Sequence, residues 1–440
     1  MITHPHRTIL GDIPDTWRVV PLRCVLTRSS SGNWGEDRGD AARLVLRSTN
    51  FTADRRLDFS DVPLRGFSEE DAARFEIRRD DILLERSGGG PTQPVGRVVL
   101  AENDLLQYGF SNFLQLLRVN REEMSPDYVG WCLYQLHRSG VVERLQHQTT
   151  QMRNLDFRDY LQLRMPQPPR PEQDAIAHQI SLTDTLIRRF QEQLTAALRL
   201  RNALRQTLLI TGLPGHHESI QKVSILRNEY KIPATWRFAR LGRFLSRVDY
   251  GTNAASNNKV GWPIVGIPQV IEPVLVRGDW PFVDVSQSEA EHLRLESGDV
   301  LLIRTNGNAD YIGKSTVVPQ AVAREHIVFA SYLIRARANE SDLLGTYLNL
   351  FLASPLGRRQ LVAVANTSAG NHNLGARALK RLFIPLPSIQ QQEAIVTQVT
   401  AVEHLCDAIR IKVSAGRALQ RSLLQNLLTG RVRLPDTAIA

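Results

Sequence analysis

Residues 170–212 read RPEQDAIAHQISLTDTLIRRFQEQLTAALRLRNALRQTLLITG, and the fold follows from how that stretch recurs. Apolar side chains stand at Ile176, Ile180, Ile187, Phe190, Leu194, Ala197, Leu204 and Leu208, in steps of four and three. A spacing of about 3.5 is the seam of a coiled coil rather than the wider stripe of an ordinary surface helix. Only Thr183 and Arg201 interrupt it. A shift of 219 residues gives the seam again, as Ile395, Val399, Val402, Cys406, Ile409, Val413, Leu423 and Leu427, with breaks at Gly416 and Gln420. Two helices of about 40 residues, each about 60 Å long, are predicted to share one register. Each follows a Pro-rich lead, MPQPPRPEQ (165–173) and IPLPSIQQQ (384–392). Proline suits a helix start because its missing N–H would find no partner there. Each closes on a Leu pair and Thr-Gly, at Leu208, Leu209, Thr211, Gly212 and at Leu427, Leu428, Thr429, Gly430, and Gly is the usual C-terminal stop.

The duplication reaches beyond the helices. IPDTWRVVPLRCVLTRSSSG (13–32) matches IPATWRFARLGRFLSRVDYG (232–251) at the same offset, including Trp17 with Trp236 and Gly32 with Gly251. The Trp is read as a buried packing residue at the start of a strand. DILLERSGGGPTQPVGRVVL (81–100) pairs with DVLLIRTNGNADYIGKSTVV (299–318), so Asp81, Arg86 and Gly96 correspond to Asp299, Arg304 and Gly313. This skeleton predicts strand, exposed loop, strand, with loops that differ between the copies. FSNFLQLLRVN (110–120) aligns with FASYLIRARAN (329–339). The following PDYVGWCLYQLHRSG and SDLLGTYLNLFLASPLG are helical patterns. HQTTQMRNLDF (147–157) and ANTSAGNHNLG (365–375) are polar and loop-like, sharing Asn154-Leu155 and Asn373-Leu374. GLPGHHESIQKV (212–223) is read as the hinge between copies. A period of this length is a duplicated module, not a solenoid repeat.

With 440 residues the chain exceeds one compact core, so two or more domains are expected. The N-terminus lacks the apolar run of a signal peptide, and no apolar run is long enough to span a membrane. Cys24, Cys132 and Cys406 are isolated, which suits neither a zinc pattern nor a disulfide framework and points to a reducing cytoplasm. The net charge of +9 implies a polyanionic partner, most simply nucleic acid. Only six of the basic residues are Lys, and Arg is the side chain that forks onto phosphates and guanine edges. An Arg-biased composition explains the same excess equally well.

Motifs for bond chemistry are missing. Gly313-Lys314-Ser315 fails as a phosphate loop because Asn308, not Gly, stands five residues before Gly313. Gly88-Gly89-Gly90 has no following Lys. There is no dinucleotide fingerprint, no amino-methyltransferase motif and no common nuclease core. His216-His217 lacks partner ligands for a metal. No catalytic or metal-binding residue is therefore assigned.

Recognition remains. Two frames that agree while their loops differ could each read a different short sequence, and Arg, Lys, Asn and Gln are the side chains that read base edges. The candidates for DNA binding are Arg86, Gln93, Arg97, Gln151 and Arg153 in the first copy. In the second they are Arg304, Asn306, Asn308, Lys314 and Asn371. Arg86 and Arg304, present in both copies, suit phosphate clamps.

The paired Ile-Pro-x-x-Trp starts, Pro-rich leads, Glu-Gln or Gln-Gln-Glu helix openings and Leu-Leu-Thr-Gly endings resemble the specificity subunit of type I restriction-modification systems, over essentially the whole chain. The resemblance implies an α+β chain in which two mixed α/β target recognition domains are joined by two long helices. Those helices form an antiparallel coiled coil that holds the domains apart, as a pseudo-two-fold internal repeat. The domains are expected at 1–168 and 214–387, the helices at 169–213 and 388–430, and a tail at 431–440. It further implies that double-stranded DNA is bound at a bipartite, asymmetric site. Two modification subunits would supply S-adenosylmethionine chemistry, and motor-endonuclease subunits would use ATP and Mg; this chain would bind no cofactor. The resemblance transfers no base contact to a particular residue. The specificity chain of a fused restriction-and-modification enzyme, a two-domain regulator, a self-sufficient enzyme and a scaffold are the competing readings.

Overall fold

The structure, a computed structural model, describes residues 7–89, 93–148, 152–215, 219–257, 260–272, 274–276, 278–368 and 371–435. Both long helices are continuous, Arg170–Thr211 and Ile389–Leu427. The chain divides into two compact units, Met1–Phe190 with Ile411–Ala440, and Gln191–Arg410. Each unit thus contains about half of each long helix.

Within the first unit Ile176, Ala177 and Ile180 pack with Leu424, Leu427 and Leu428 in the core that also holds Trp17. Further along, Gln420 Nε2 donates to Asp184 Oδ1 at 2.9 Å. Rising numbers on one helix meet falling numbers on the other, so the halves pair antiparallel. The second unit repeats this: Leu208 and Leu209 share a core with Ile395 and Val399, and Arg205 forms an ion pair with Glu403. The seam's interruptions have local causes. A Cβ at Gly416 would lie 2.8 Å from Ile187 Cγ1, so a side chain there would push the helices apart. Gln420 is buried but satisfied by Asp184. Thr183 Oγ1 donates to the carbonyl of Gln179 one turn back, and the half-buried Arg201 donates to Asn202 Oδ1 at 3.2 Å.

The sheets of the two units follow one plan. In the first, Leu26–Ser31, Leu114–Val119, Ile82–Glu85 and Val98–Leu100 form an antiparallel sheet in that spatial order. In the second, Leu245–Tyr250, Leu333–Ala338, Val300–Ile303 and Ser315–Val317 do the same. The inner strands Ile82–Glu85 and Val300–Ile303 are buried on both faces, which is why Ile82–Leu84 and Val300–Ile303 read as unbroken apolar runs rather than alternating ones. Beside each lies a smaller sheet with one parallel pair, Ala41–Leu46 with Tyr108–Phe110 and Trp262–Val265 with Val328–Phe329. Gly32 and Gly251 recur because any Cβ there would strike the carbonyl oxygen of Phe110 or Phe329.

The repeated Asp has a structural role. Arg118 Nε and Nη2 donate to the two oxygens of Asp81 at 2.7 Å each. Arg337 binds Asp299 in the same bidentate way at 2.7 and 2.8 Å. Both carboxylates are fully buried, and the hydrogen bond to Asp raises the pKa of each guanidinium.

The Gln of each helix opening is a buried clasp. Gln173 accepts from the Ser125 amide at 2.8 Å and donates to the Pro168 carbonyl at 2.9 Å. Gln392 accepts from the Leu344 amide at 2.9 Å and donates to the carbonyls of Pro387 and Asp342 at 3.0 and 2.9 Å. Each clasp joins the Pro-rich lead, the long helix and the start of the unit's own helix. Gln392→Ala would leave three backbone groups, one buried and two part-buried, without this partner, and a urea-denaturation series is expected to show a loss of about 1–3 kcal/mol. Gln392→Glu should also destabilise, since a carboxylate lacks donors for the two carbonyls.

One sequence expectation is refined and two are corrected. The pattern SDLLGTYLNLFLASPLG holds two helices, Gly345–Ala353 and Pro355–Val364, because Ser354 caps the second and Pro355 starts it. Residues 220–223 of the expected hinge belong to a strand, Ile220–Ile225, which pairs with Asn228–Pro233. Leu226 and Arg227, both at positive φ, make the tight turn between them. The polar stretches around residues 147–157 and 365–375 contain paired strands, Gln146–Gln148 with Arg153–Leu155 and Asn366–Ser368 with Asn371–Asn373. His216 and His217 lie outside the described residues.

Candidate nucleic-acid interface

Those hairpins build one polar surface in each unit. Arg153–Leu155 adds to Ser87–Gly88, with Arg153 opposite Gly88, and the Leu155 amide donates to the Arg86 carbonyl at 2.8 Å. Asn371–Asn373 adds to Thr305–Asn306, with Asn306 opposite His372, and the Leu374 amide donates to the Arg304 carbonyl at 2.9 Å. Segments far apart in sequence thereby bring Arg153 to the strand that follows Arg86, and Arg304 and Asn306 beside the strand of Asn371. The backbone amides of Arg86 and Arg304 donate to Phe113 and Tyr332 at 2.8 Å each. Arg86 lies 5.6 Å from the Phe157 ring and Arg304 4.3 Å from that of Tyr250. Such stacking orients a guanidinium, and Arg304 Nη1 also donates to the Ser331 carbonyl at 3.3 Å.

The other candidates differ. Gln93 is exposed. Asn308 is exposed, but its Oδ1 caps the Asp310 amide at 2.9 Å, and Asn306 Oδ1 accepts from the Asn308 amide at 2.9 Å. Both side-chain carbonyl oxygens are thus engaged within the loop. Arg97 faces inward. It binds Glu85 through two hydrogen bonds of 2.8 Å and reaches the carbonyls of Phe51 and Ser48 at 3.0 and 2.9 Å. Its donors hold the loop together because Glu85 is buried and needs a counter-charge. Lys314 lies over the Tyr311 ring at 4.1 Å and lines a cavity beside the long helices of its unit. It is not part of the Arg304 surface. Gln151 lies outside the described residues, as does the side chain of Asn371.

Two residues were not singled out from the sequence. Phe113 and Tyr332 occupy matching positions and are exposed, at 36% and 58%. Their carbonyls accept from the Arg86 and Arg304 amides, and an exposed ring at such a place is of the kind on which bases can stack. The signal was the aligned FSNF and FASY, where an aromatic recurs out of step with the buried face. Electrostatics stabilises the frame behind this surface. Burial alone would raise the pKa of Asp249, but Arg335 and Arg247 hold it below the usual carboxylate range. Arg335 itself is fully buried, with two hydrogen bonds to Asp249 at 2.9 and 2.6 Å. Among the described residues no cluster of His, Cys, Asp and Glu could hold a metal ion.

No protein-family model matches the chain. The type I restriction enzyme EcoKI specificity subunit of Escherichia coli K12 is 23% identical over 442 residues, 97% of this chain and 91% of the relative. The StySPI specificity subunit of Salmonella potsdam is 22% identical over 440 residues, again 97% and 91% of the two chains. Along its whole length the chain is similar to type I specificity subunits. Solved structures share the fold. The type I restriction-modification S subunit from M. genitalium superposes with a TM-score of 0.57 at 14% identity, covering 96% of this chain and 98% of that one. A chain from a type I R-M system, solved for complex assembly and conformational transition, gives 0.55 at 17% identity over 96% and 100%. The α+β plan of two repeated units sharing two long paired helices is therefore that of the type I S subunits. No helix among the described residues is long and apolar enough to cross a membrane.

Proposed function

We propose that this chain is the DNA-reading, non-catalytic subunit of a type I restriction-modification complex, with each unit reading one half of a bipartite, asymmetric site. One observation carries the proposal. The two units repeat a frame down to Trp17 and Trp236, Gln173 and Gln392, Arg86 and Arg304, while the residues around the two Arg differ. A constant frame with variable polar edges fits two sites of different sequence. Contacts to phosphate from Arg86 and Arg304 would set register, and the neighbouring strands would read base edges.

Two modification subunits carrying S-adenosylmethionine, and motor-endonuclease subunits using ATP and Mg, would act on the site this chain selects. The complex would work in the cytoplasm. Exchanging residues 305–312 together with 366–373 for those of a type I relative of different specificity should change one half-site and leave the other intact. Single-molecule methylome sequencing of the reconstituted complex gives the answer. A variant in which both half-sites change, or neither, removes the assignment of one half-site to each unit.

A further inference from the structure

The two units differ at one equivalent place beside the long helices. In the first, the cleft between the unit's own helix and the long helix is plugged by Arg55, whose guanidinium lies 3.7 Å from the Trp131 ring centre and 5.0 Å from that of Tyr134. Trp131 Nε1 in turn donates to Ser181 on the long helix at 3.0 Å. Burial pulls the pKa of Arg55 down to about 10, against the pull of Asp184, Tyr134 and Asp127. At the offset of 219 the plug becomes Val274, and Trp131 and Tyr134 become Leu350 and Ala353. The space they vacate is a cavity of about 280 Å³ in the second unit, lined by Val274, Leu350 and Ala353.

The charges have changed as well. Glu85, which binds Arg97 in the first unit, is replaced by Ile303, and Asp127 by Thr346. Lys314, in the place of Arg97, keeps its charge but has lost that carboxylate; among the described residues it makes no ion pair and turns to Tyr311 at the cavity. Arg358 and Arg205 stand where the first unit has Ser139 and Leu424. Arg358 is spent on one carbonyl, that of Ile312 at 2.6 Å, and burial lowers its pKa although Asp310 opposes this. Arg205 pairs with Glu403, yet among the described residues its buried Nε has no partner. The cavity thus has Arg205 and Arg358 in exchange for Arg55, keeps one carboxylate as Glu403 in the place of Asp184, and has Asp310 in its lining, so three basic groups, with Lys314, face two acidic ones.

We propose that this cavity of the second unit binds a small organic anion, with its carboxylate or phosphate between Lys314 and Arg358 and its apolar part against Leu350 and Val396. A group of that charge supplies the counter-ion that Glu85 provides internally in the first unit. The volume suits a single-ring molecule, at the lower end of ligand pockets. DNA could present the same phosphate, so the test separates the two sources.

Isothermal titration of the full chain with inorganic phosphate, adenosine 5′-monophosphate and benzoate is the experiment. At least one is expected to bind with Kd below about 1 mM. Lys314→Ala and Arg358→Gln should each weaken it at least roughly tenfold, and Val274→Arg, which restores the plug, should abolish it. Lys314→Ala is half-exposed and not expected to disturb folding, so it decides the matter if Val274→Arg fails to fold. Absence of binding by all three probes, or binding that Lys314→Ala leaves unchanged, overturns the proposal. So does a result in which only DNA affinity responds to Lys314→Ala, because the phosphate would then be DNA's.

Discussion

Trp17→Ala is expected to destabilise the first unit by about 3–5 kcal/mol, the range for truncating a buried aromatic side chain. For a unit of this size that lowers its melting temperature by roughly 10 °C or more. Trp17 is 2% exposed and sits in the core where the Ile176 and Leu427 ends of the two long helices meet. Its Nε1 also donates to Glu172 Oε2 at 3.1 Å. That carboxylate is buried in the first turn of the long helix and binds Arg433 at 2.5 and 2.9 Å. Trp17→Phe keeps most of the packing and leaves Arg433 to hold Glu172, so it should cost less than half as much. In the second unit Trp236 donates instead to the neutral Gln391 at 3.2 Å. Differential scanning calorimetry of the three variants checks the order. A Trp17→Phe variant as unstable as Trp17→Ala would mean that the hydrogen bond, not the ring, holds the helix ends together.

Asp81→Ala should be about as damaging, at roughly 3–5 kcal/mol, because it strands a charge whose partner was buried. Arg118 loses both of its hydrogen bonds to Asp81, and the Arg78 amide loses an acceptor at 2.7 Å. The equivalent Asp299→Ala should cost less. Arg337 retains Glu296 at 2.5 Å, an exposed carboxylate that can follow it. Urea denaturation of the two single variants therefore tests whether loss of the counter-charge or loss of packing dominates. Equal losses at the two positions would point to packing, since the sheets are otherwise alike. Asp81→Asn, which keeps shape and one acceptor, should fall between wild type and Asp81→Ala.

The similarity of the two units makes such paired comparisons informative, and it also explains what could be read from the chain. The seam, the Pro-rich leads, the Trp and the strand–loop–strand skeleton are local or periodic patterns. A period needs no knowledge of the partner, because burial repeats along one element. The recurrence of Gly32 at Gly251, and of Asp81 at Asp299, was equally plain, but its reason was not. Gly32 answers to a carbonyl at Phe110 and Asp81 to a guanidinium at Arg118, both distant in sequence. The polar hairpins were missed for the same reason: their strands pair with residues some 65 positions earlier, where polar composition carries no strand signal.

Among the candidate contacts, the sequence located the loops but not the direction of their side chains. Arg97 and Arg86 are alike as letters. One is spent on buried Glu85 and the other stands at the edge of a hairpin, and only the partners distinguish them. By itself, then, the chain determined a duplicated frame, its helical seam and the absence of recognisable catalytic motifs, since each is written in spacing and residue type. The tertiary structure decided which repeated residues clasp the frame, which side chains remain at its polar edges, and that one cleft is plugged by Arg55 while its counterpart stays open. Those outcomes depend on what lies across a gap in space, and side-chain burial and counter-charge across that gap are fixed only when the chain has folded.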